Sequence, residues 1–175
     1  MTPNVDIVIP VLNEEKALPG SIARLHAFLS ENIDGPWRIV VADNGSTDST
    51  PDVARQLSER FDRVIYTRLE ECGRGRALKR TWLESEAETV CYMDVDLSSD
   101  LAALPDLVRA VQKDGYDIAI GSRLAQGASV IGRPPQRELT SRAYNLIIRA
   151  MFFMKVRDAQ CGSLPWSRTG HLGPS

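Results

Sequence analysis

Short apolar runs alternate with longer stretches of helical spacing along nearly the whole chain, and the first run, Val5-Asp-Ile-Val-Ile-Pro-Val11, carries almost no polar interruption. A strand that reads as continuously hydrophobic is buried on both faces, which is the condition of a parallel sheet sandwiched between helices. The spacing predicts a helix over 16–32, with Leu18, Ile22, Leu25 and Leu29 on one stripe. It then predicts strands over 37–42 and 63–68, separated by a helix over 48–60 that Asp48 or Ser49 caps. A helix over 73–85, a strand over 89–93, a helix over 101–113, a strand over 116–120 and a helix over 140–156 complete the pattern. Strands alternating with helices in this way imply an α/β domain with a mostly parallel sheet and helices on both faces.

Ligands of such sheets bind at the carboxyl ends of the strands, where the strand order reverses. The polar clusters fall at those ends: Asn13-Glu14-Glu15, Asp43-Asn44-Gly45-Ser46, Asp94-Val95-Asp96 and Gly121-Ser122-Arg123. One cluster carries little weight, but four on one edge are best explained by an active-site rim.

Within that rim Asp94 and Asp96 are the sharpest feature. On an extended strand, residues two apart point the same way. Two carboxylates on one side suit a hard divalent cation, Mg²⁺ or Mn²⁺, that also binds a diphosphate. The plain alternative is a turn whose acids cap the next helix; the position after a buried strand favours the metal. The loop Asp43-Asn-Gly-Ser-Thr-Asp48 has the residues of a turn and helix cap, and Asp43 could in addition accept from a base or ribose. Gly73-Arg-Gly-Arg starts a helix whose amides could approach a phosphate. Neither GxxxxGK[ST] nor a complete GxGxxG occurs, so nucleotide hydrolysis and dinucleotide binding lose support. His26 and His171 lie near no nucleophile motif, and zinc-ligand spacing is absent.

Charge excludes one class and suggests another. With 21 Lys and Arg against 23 Asp and Glu, the 175-residue chain is no globally basic nucleic-acid binder. Yet between Arg123 and Arg157 seven basic residues stand against one acid, Glu138. This is either a solvated basic face or a site for an anionic partner, a phosphate or a membrane surface. Residues 143–156 are apolar around nearly the whole helical circumference, as in a core helix or one lying on lipid. No apolar run is long enough to span a bilayer, and residues 5–11 are too short for a signal peptide. Cys72, Cys91 and Cys161 show no framework spacing and read as reduced cytosolic thiols.

Taken together, Val8-Ile-Pro-Val-Leu-Asn-Glu-Glu15, Val40-Val-Ala-Asp-Asn-Gly-Ser-Thr-Asp48, Gly73-Arg-Gly-Arg-Ala-Leu78, Met93-Asp-Val-Asp-Leu97 and Ile120-Gly-Ser-Arg123 resemble the inverting family 2 glycosyltransferases of the GT-A fold. With Arg137, Thr140-Ser-Arg-Ala-Tyr-Asn145 and Arg157-Asp-Ala-Gln-Cys-Gly162, the chain is most similar to the polyprenyl-phosphate sugar synthases, the dolichyl-phosphate glucosyl- and mannosyltransferases. The resemblance implies an enzyme that moves a hexose from a nucleotide-diphosphate sugar, UDP-glucose or GDP-mannose, to a polyprenyl or dolichyl phosphate with inversion. By that resemblance Pro10, Leu12, Glu14, Asp43 and Asp94 line the nucleotide-sugar site. Asp94 and Asp96 hold Mg²⁺ or Mn²⁺, and Arg123 and Arg137 face the acceptor phosphate. Cytosolic nucleotide sugars and cysteines that read as reduced make the cytoplasmic face of a membrane the expected location; the basic and apolar segments suggest peripheral membrane contact, and the charge balance suggests no nucleic acid. A saccharide or small-molecule acceptor and a non-catalytic nucleotide-sugar-binding remnant are the alternatives.

The chain departs from the family at two places. Ser98 stands where many relatives carry Gln or another polar residue. After Gly162 the text changes to SLPWSRTGHLGPS. The expectation is a GT-A domain over 1–162, cut short at its C-terminal side, followed by a disordered tail over 163–175.

Overall fold

The computed structural model describes residues 4–69, 74–120 and 163–167. In chain order the elements are β1 (Val5–Val11), α1 (Leu18–Asn32), β2 (Trp37–Asp43), α2 (Thr50–Arg60), β3 (Val64–Arg68), α3 (Arg74–Glu84), β4 (Thr89–Met93), a 3-10 turn (Leu101–Ala103), α4 (Leu104–Gln112) and β5 (Ser163–Ser167). They form one five-stranded sheet in the order β3-β2-β1-β4-β5. The first four strands are parallel, and β5 runs antiparallel to β4.

Alternation along the strands divides the core into two layers. Ile7, Ile9, Ile39, Val41, Cys91 and Met93 pack with Leu18, Ile22, Leu25 and Leu29 of α1, Ala54 and Leu57 of α2, and Leu104 and Val108 of α4. On the other face Val8, Val40, Ala42 and Val90 meet Leu78 and Trp82 of α3. That second face also buries Asp6. Arg38 grips its carboxylate with two bonds, Nε to Oδ1 at 2.9 Å and a terminal nitrogen to Oδ2 at 2.7 Å, and the Ser85 hydroxyl donates to Oδ2 at 2.6 Å. Three donors offset the desolvation of a charge inside the sheet. The buried Cys91 thiol has its pKa pushed up by burial and, secondarily, by the charge of Asp6.

Three helices begin later than periodicity alone suggests, and proline is the reason. Pro19, Pro51 and Pro105 each occupy the first turn of their helix. A proline ring clashes with the carbonyl of residue i−4 and has no N–H to give, so it fits only there. The stripe expected from 16 therefore becomes helical at Leu18, and the one expected from 101 passes through a 3-10 turn before α4 starts at Leu104.

Two expectations change more. Residues 116–120 do not form a strand: Ile118 makes a lone bridge, and it and Tyr116 are exposed. The run lacks the burial on both faces that a parallel strand needs. Conversely, the first five residues of the segment expected to be a disordered tail form β5, paired from Thr89↔Ser167 to Met93↔Ser163. Backbone pairing needs no apolar periodicity, so a Ser- and Pro-containing stretch gave no strand signal. The helix expected over 140–156 lies outside the described residues.

Candidate functional site: the carboxyl edge of the sheet

The chain runs outward from β1 to β2 and β3, then returns to place β4 on the other side of β1. The switch point of the sheet is therefore between β1 and β4. The register opens a crevice there. β1 stays paired with β2 to its last residue, Val11↔Asp43, but its last pair with β4 is Val8↔Tyr92. Pro10 sits beyond that point, buried in β1 and opposite Ala42. A proline cannot donate to a ladder, and it is tolerated where β1 has already left β4.

The loops after β1 and β2 are clasped together at this edge. Asn13 adopts a left-handed φ of 57°, a region Asn tolerates better than most residues. Its amide donates to the Ser46 hydroxyl at 2.9 Å, and its Oδ1 accepts the Thr47 amide at 2.9 Å. The half-buried Glu14 donates its amide to Thr50 Oγ1 at 2.8 Å, and Glu15 accepts the Ser49 amide at 3.0 Å. Ser49 is the N-cap of α2 and makes no side-chain cap bond; Asp48, just before it, accepts the Thr50 amide at 2.9 Å. Loss of hydration works against the Asp48 anion, but the Thr50 hydroxyl and amide and the Glu15 amide outweigh it and hold the carboxyl below its ordinary value. Leu12, between β1 and this clasp, is 46% exposed despite its apolar side chain.

Asp43 ends β2 and is completely buried. Its Oδ1 accepts the Ser46 amide at 2.9 Å, its Oδ2 accepts the Tyr66 hydroxyl at 2.9 Å, and Arg68 reaches the same oxygen at 3.5 Å. A second nitrogen of Arg68 donates to the Ser46 carbonyl at 3.2 Å. Asp43 thus shapes the turn that follows it. Burial first, then the bond to the Asp43 carboxylate, raises the Tyr66 pKa, with Arg68 opposing. Tyr66 and Arg68 were not among the sequence candidates. Their signal was present but slight: two polar residues, two apart, at the carboxyl end of a strand.

Asp94 and Asp96 lie across the crevice, on a turn rather than an extended strand. β4 ends at Met93, and the Leu97 amide returns to the Asp94 carbonyl at 3.1 Å. Alternation survives in burial all the same. Met93, Val95 and Leu97 enter the core, while Asp94 is half-buried and Asp96 exposed. Leu97 takes a left-handed φ of 46° to do so, a conformation that costs an L-residue about 1–2 kcal/mol and is retained where packing over-determines it. Asp94 Oδ1 accepts the Tyr92 hydroxyl, and Asp96 Oδ1 accepts the Ser98 amide at 2.9 Å. Ser98 therefore contributes its backbone to this turn.

As a donor set, two carboxylates on one tight turn match a hard cation such as Mg²⁺ or Mn²⁺. No group of three or more His, Cys, Asp or Glu side chains able to hold a metal occurs among the described residues. The remaining donors would come from a ligand, as diphosphate oxygens do. Arg123 and Arg137 lie outside the described residues.

Comparison with known proteins decides the family: the sequence pattern of glycosyl transferase family 2 matches residues 6–169. The chain belongs to glycosyl transferase family 2. Glycosyltransferase AglD of Haloferax volcanii is 34% identical over 169 residues, covering 94% of this chain and 26% of that protein. A dolichol-phosphate mannosyltransferase of Pyrococcus furiosus is 32% identical over 154 residues, covering 88% of this chain and 42% of the relative. The dolichyl-phosphate beta-glucosyltransferase ALG5C of Trichomonas vaginalis is 25% identical, with coverage of 89% and 49%. The chain thus spans between about a quarter and a half of the length of these curated relatives.

Solved GT-A structures share the fold. The mannosyltransferase PcManGT from Pyrobaculum calidifontis, in complex with GDP-mannose and Mn²⁺, superposes with a TM-score of 0.61 at 19% identity, covering 96% of this chain and 45% of that one. The glucosyl-3-phosphoglycerate synthase of Mycobacterium tuberculosis, with Mn²⁺ and UDP-glucose, gives 0.63 at 24% identity, covering 95% and 57%. The family 2 match runs seven residues past Gly162 and takes in the whole of β5.

Proposed function

We propose that this family 2 domain transfers a hexose from a nucleotide-diphosphate sugar to a polyprenyl phosphate with inversion at the anomeric carbon. The observation that carries the reading is the crevice at the switch point, where β1 has parted from β4 and the turn bearing Asp94 and Asp96 stands at its mouth. The identity to a dolichol-phosphate mannosyltransferase supports the acceptor class.

In this reading Pro10, Leu12 and Glu14 flank the nucleoside from the β1 side. Asp43 acts through the turn it holds, because its own carboxylate is buried and engaged. Asp94 and Asp96 are the residues that would hold Mg²⁺ or Mn²⁺, which when bound would supply positive charge to offset that of the departing diphosphate. An oxygen of the acceptor phosphate forms the new bond to the anomeric carbon as the bond to the nucleoside diphosphate breaks on the opposite face. A phosphate monoester is already largely dianionic at neutral pH, with a second pKa of about 6, so the attack needs no strong general base. Arg123 and Arg137 hold that phosphate with planar forks and keep two anions together, a contribution of position. The basic stretch around them suits anionic lipid at a cytoplasmic membrane face. No helix among the described residues is long and apolar enough to cross a membrane.

The test is calorimetric titration of UDP-glucose and GDP-mannose, each with Mn²⁺ and with chelator, followed by transfer to a short polyprenyl phosphate. Metal-dependent binding of one donor and formation of a lipid-linked sugar are expected. Absence of binding by both donors sinks the reading; binding without transfer reduces it to donor recognition.

A further inference from the structure

Tyr92 and Asp94 stand two residues apart at the end of β4. Val90 faces the α3 layer, and Met93 faces the other layer. Alternation thus puts Tyr92 on the α3 side, where it pairs with Val8, and its hydroxyl donates to Asp94 Oδ1. Tyr92 is half-buried and belongs to the rigid strand, whereas Asp94 begins the turn beyond it. A short carboxylate at a strand end has several staggered rotamers open to it. A phenol fixed in the sheet selects one of them.

We propose that Tyr92 is a positioning residue for the metal-holding carboxylate of Asp94, its hydroxyl fixing the Asp94 side chain on the crevice side of the turn before cation or donor arrives. The proposal rests on the reading of Asp94 as a metal-holding residue given above. A hydrogen-bonded partner behind a ligating carboxylate orients it and removes the rotamer entropy that binding would otherwise cost. Asp96 differs: it is exposed, and among the described residues its carboxylate accepts the neighbouring Ser98 amide, so it adapts to the ion while Asp94 sets the place. Tyr92 touches neither substrate nor the reacting atoms in this scheme.

The experiment is Mn²⁺ binding by the full chain, read from the electron paramagnetic resonance signal of free Mn²⁺ in the presence of saturating UDP or GDP. Tyr92→Phe keeps the ring and its packing and removes only the donor. We expect it to weaken Mn²⁺ about tenfold, the lower end of what outer partners of metal ligands contribute. Nucleotide affinity in chelator and the melting temperature should stay close to wild type. Wild-type Mn²⁺ affinity in the variant overturns the proposal and leaves the metal reading standing. Equal weakening of Mn²⁺ and of metal-free nucleotide, or a collapse of the melting temperature, also overturns it, because the hydroxyl would then serve the fold. Failure of the wild-type chain to bind Mn²⁺ with either nucleotide removes both the metal reading and the proposal.

Discussion

The Tyr66 hydroxyl donates to Oδ2 of the fully buried Asp43 carboxylate at 2.9 Å, tying the end of β3 to the end of β2. A hydrogen bond to a charged group contributes roughly 1.5–3 kcal/mol, so Tyr66→Phe should lower unfolding stability by about 2 kcal/mol in urea titration. The pH dependence has a definite sign. The Tyr66 pKa is raised in the folded state, so its contribution is fully present below the ordinary tyrosine pKa and fades as pH rises past it. The stability gap between wild type and Tyr66→Phe should therefore be constant near neutrality and close above about pH 10. A gap that persists unchanged at high pH would show that the hydroxyl proton is not what binds Asp43.

Asn13 joins the two loops through its side chain and also accepts a left-handed backbone. Asn13→Ala loses the side-chain bond and places a Cβ residue at φ 57°, for an expected loss of about 2 kcal/mol. Asn13→Gly loses the bond but not the backbone comfort, and should recover about 1 kcal/mol of that. Equal effects of the two changes in denaturant titration would rule out the backbone component.

Asp96 is exposed, and its bond to the Ser98 amide can be kept by an amide oxygen. Asp96→Asn should leave the melting curve nearly unchanged while weakening Mn²⁺-dependent donor binding at least tenfold in calorimetry. A large stability loss would make the turn, not the metal, its purpose. Arg137→Ala should instead spare donor binding and impair transfer to the lipid phosphate; equal losses in both assays would place it at the donor.

Removing residues 163–175 deletes β5 and uncovers the edge of β4. With several backbone bonds at about 0.5–1.5 kcal/mol each, the shortened chain should lose on the order of 2–4 kcal/mol and melt distinctly lower. A melting temperature equal to that of the full chain would show that the pairing contributes no stability.

Where the sequence was legible, the reason is local. Leu18, Ile22, Leu25 and Leu29 repeat at helical spacing, and each is buried as that spacing requires. β1, apolar except for Asp6, is buried at every position, as a central parallel strand must be. Asn13, Asp43, Asp94 and Asp96 fall at strand ends for the same reason: the rim begins where the apolar run stops. The order β3-β2-β1-β4-β5 is not local, since it depends on which strands pair across dozens of residues. That order made β1 and β4 neighbours, and their register, which ends at Val8↔Tyr92, opened the crevice between them. Helix packing on the two faces also decided that Asp43, the last residue of β2, lies on the side of α1 and α2 and that Tyr92, within β4, lies on the side of α3. The engagement of Asp43 by Tyr66, 23 residues away, and the capture of Ser163–Ser167 by β4 were likewise decided by tertiary structure. Hydrogen bonds between distant segments leave no periodic trace in the chain that makes them.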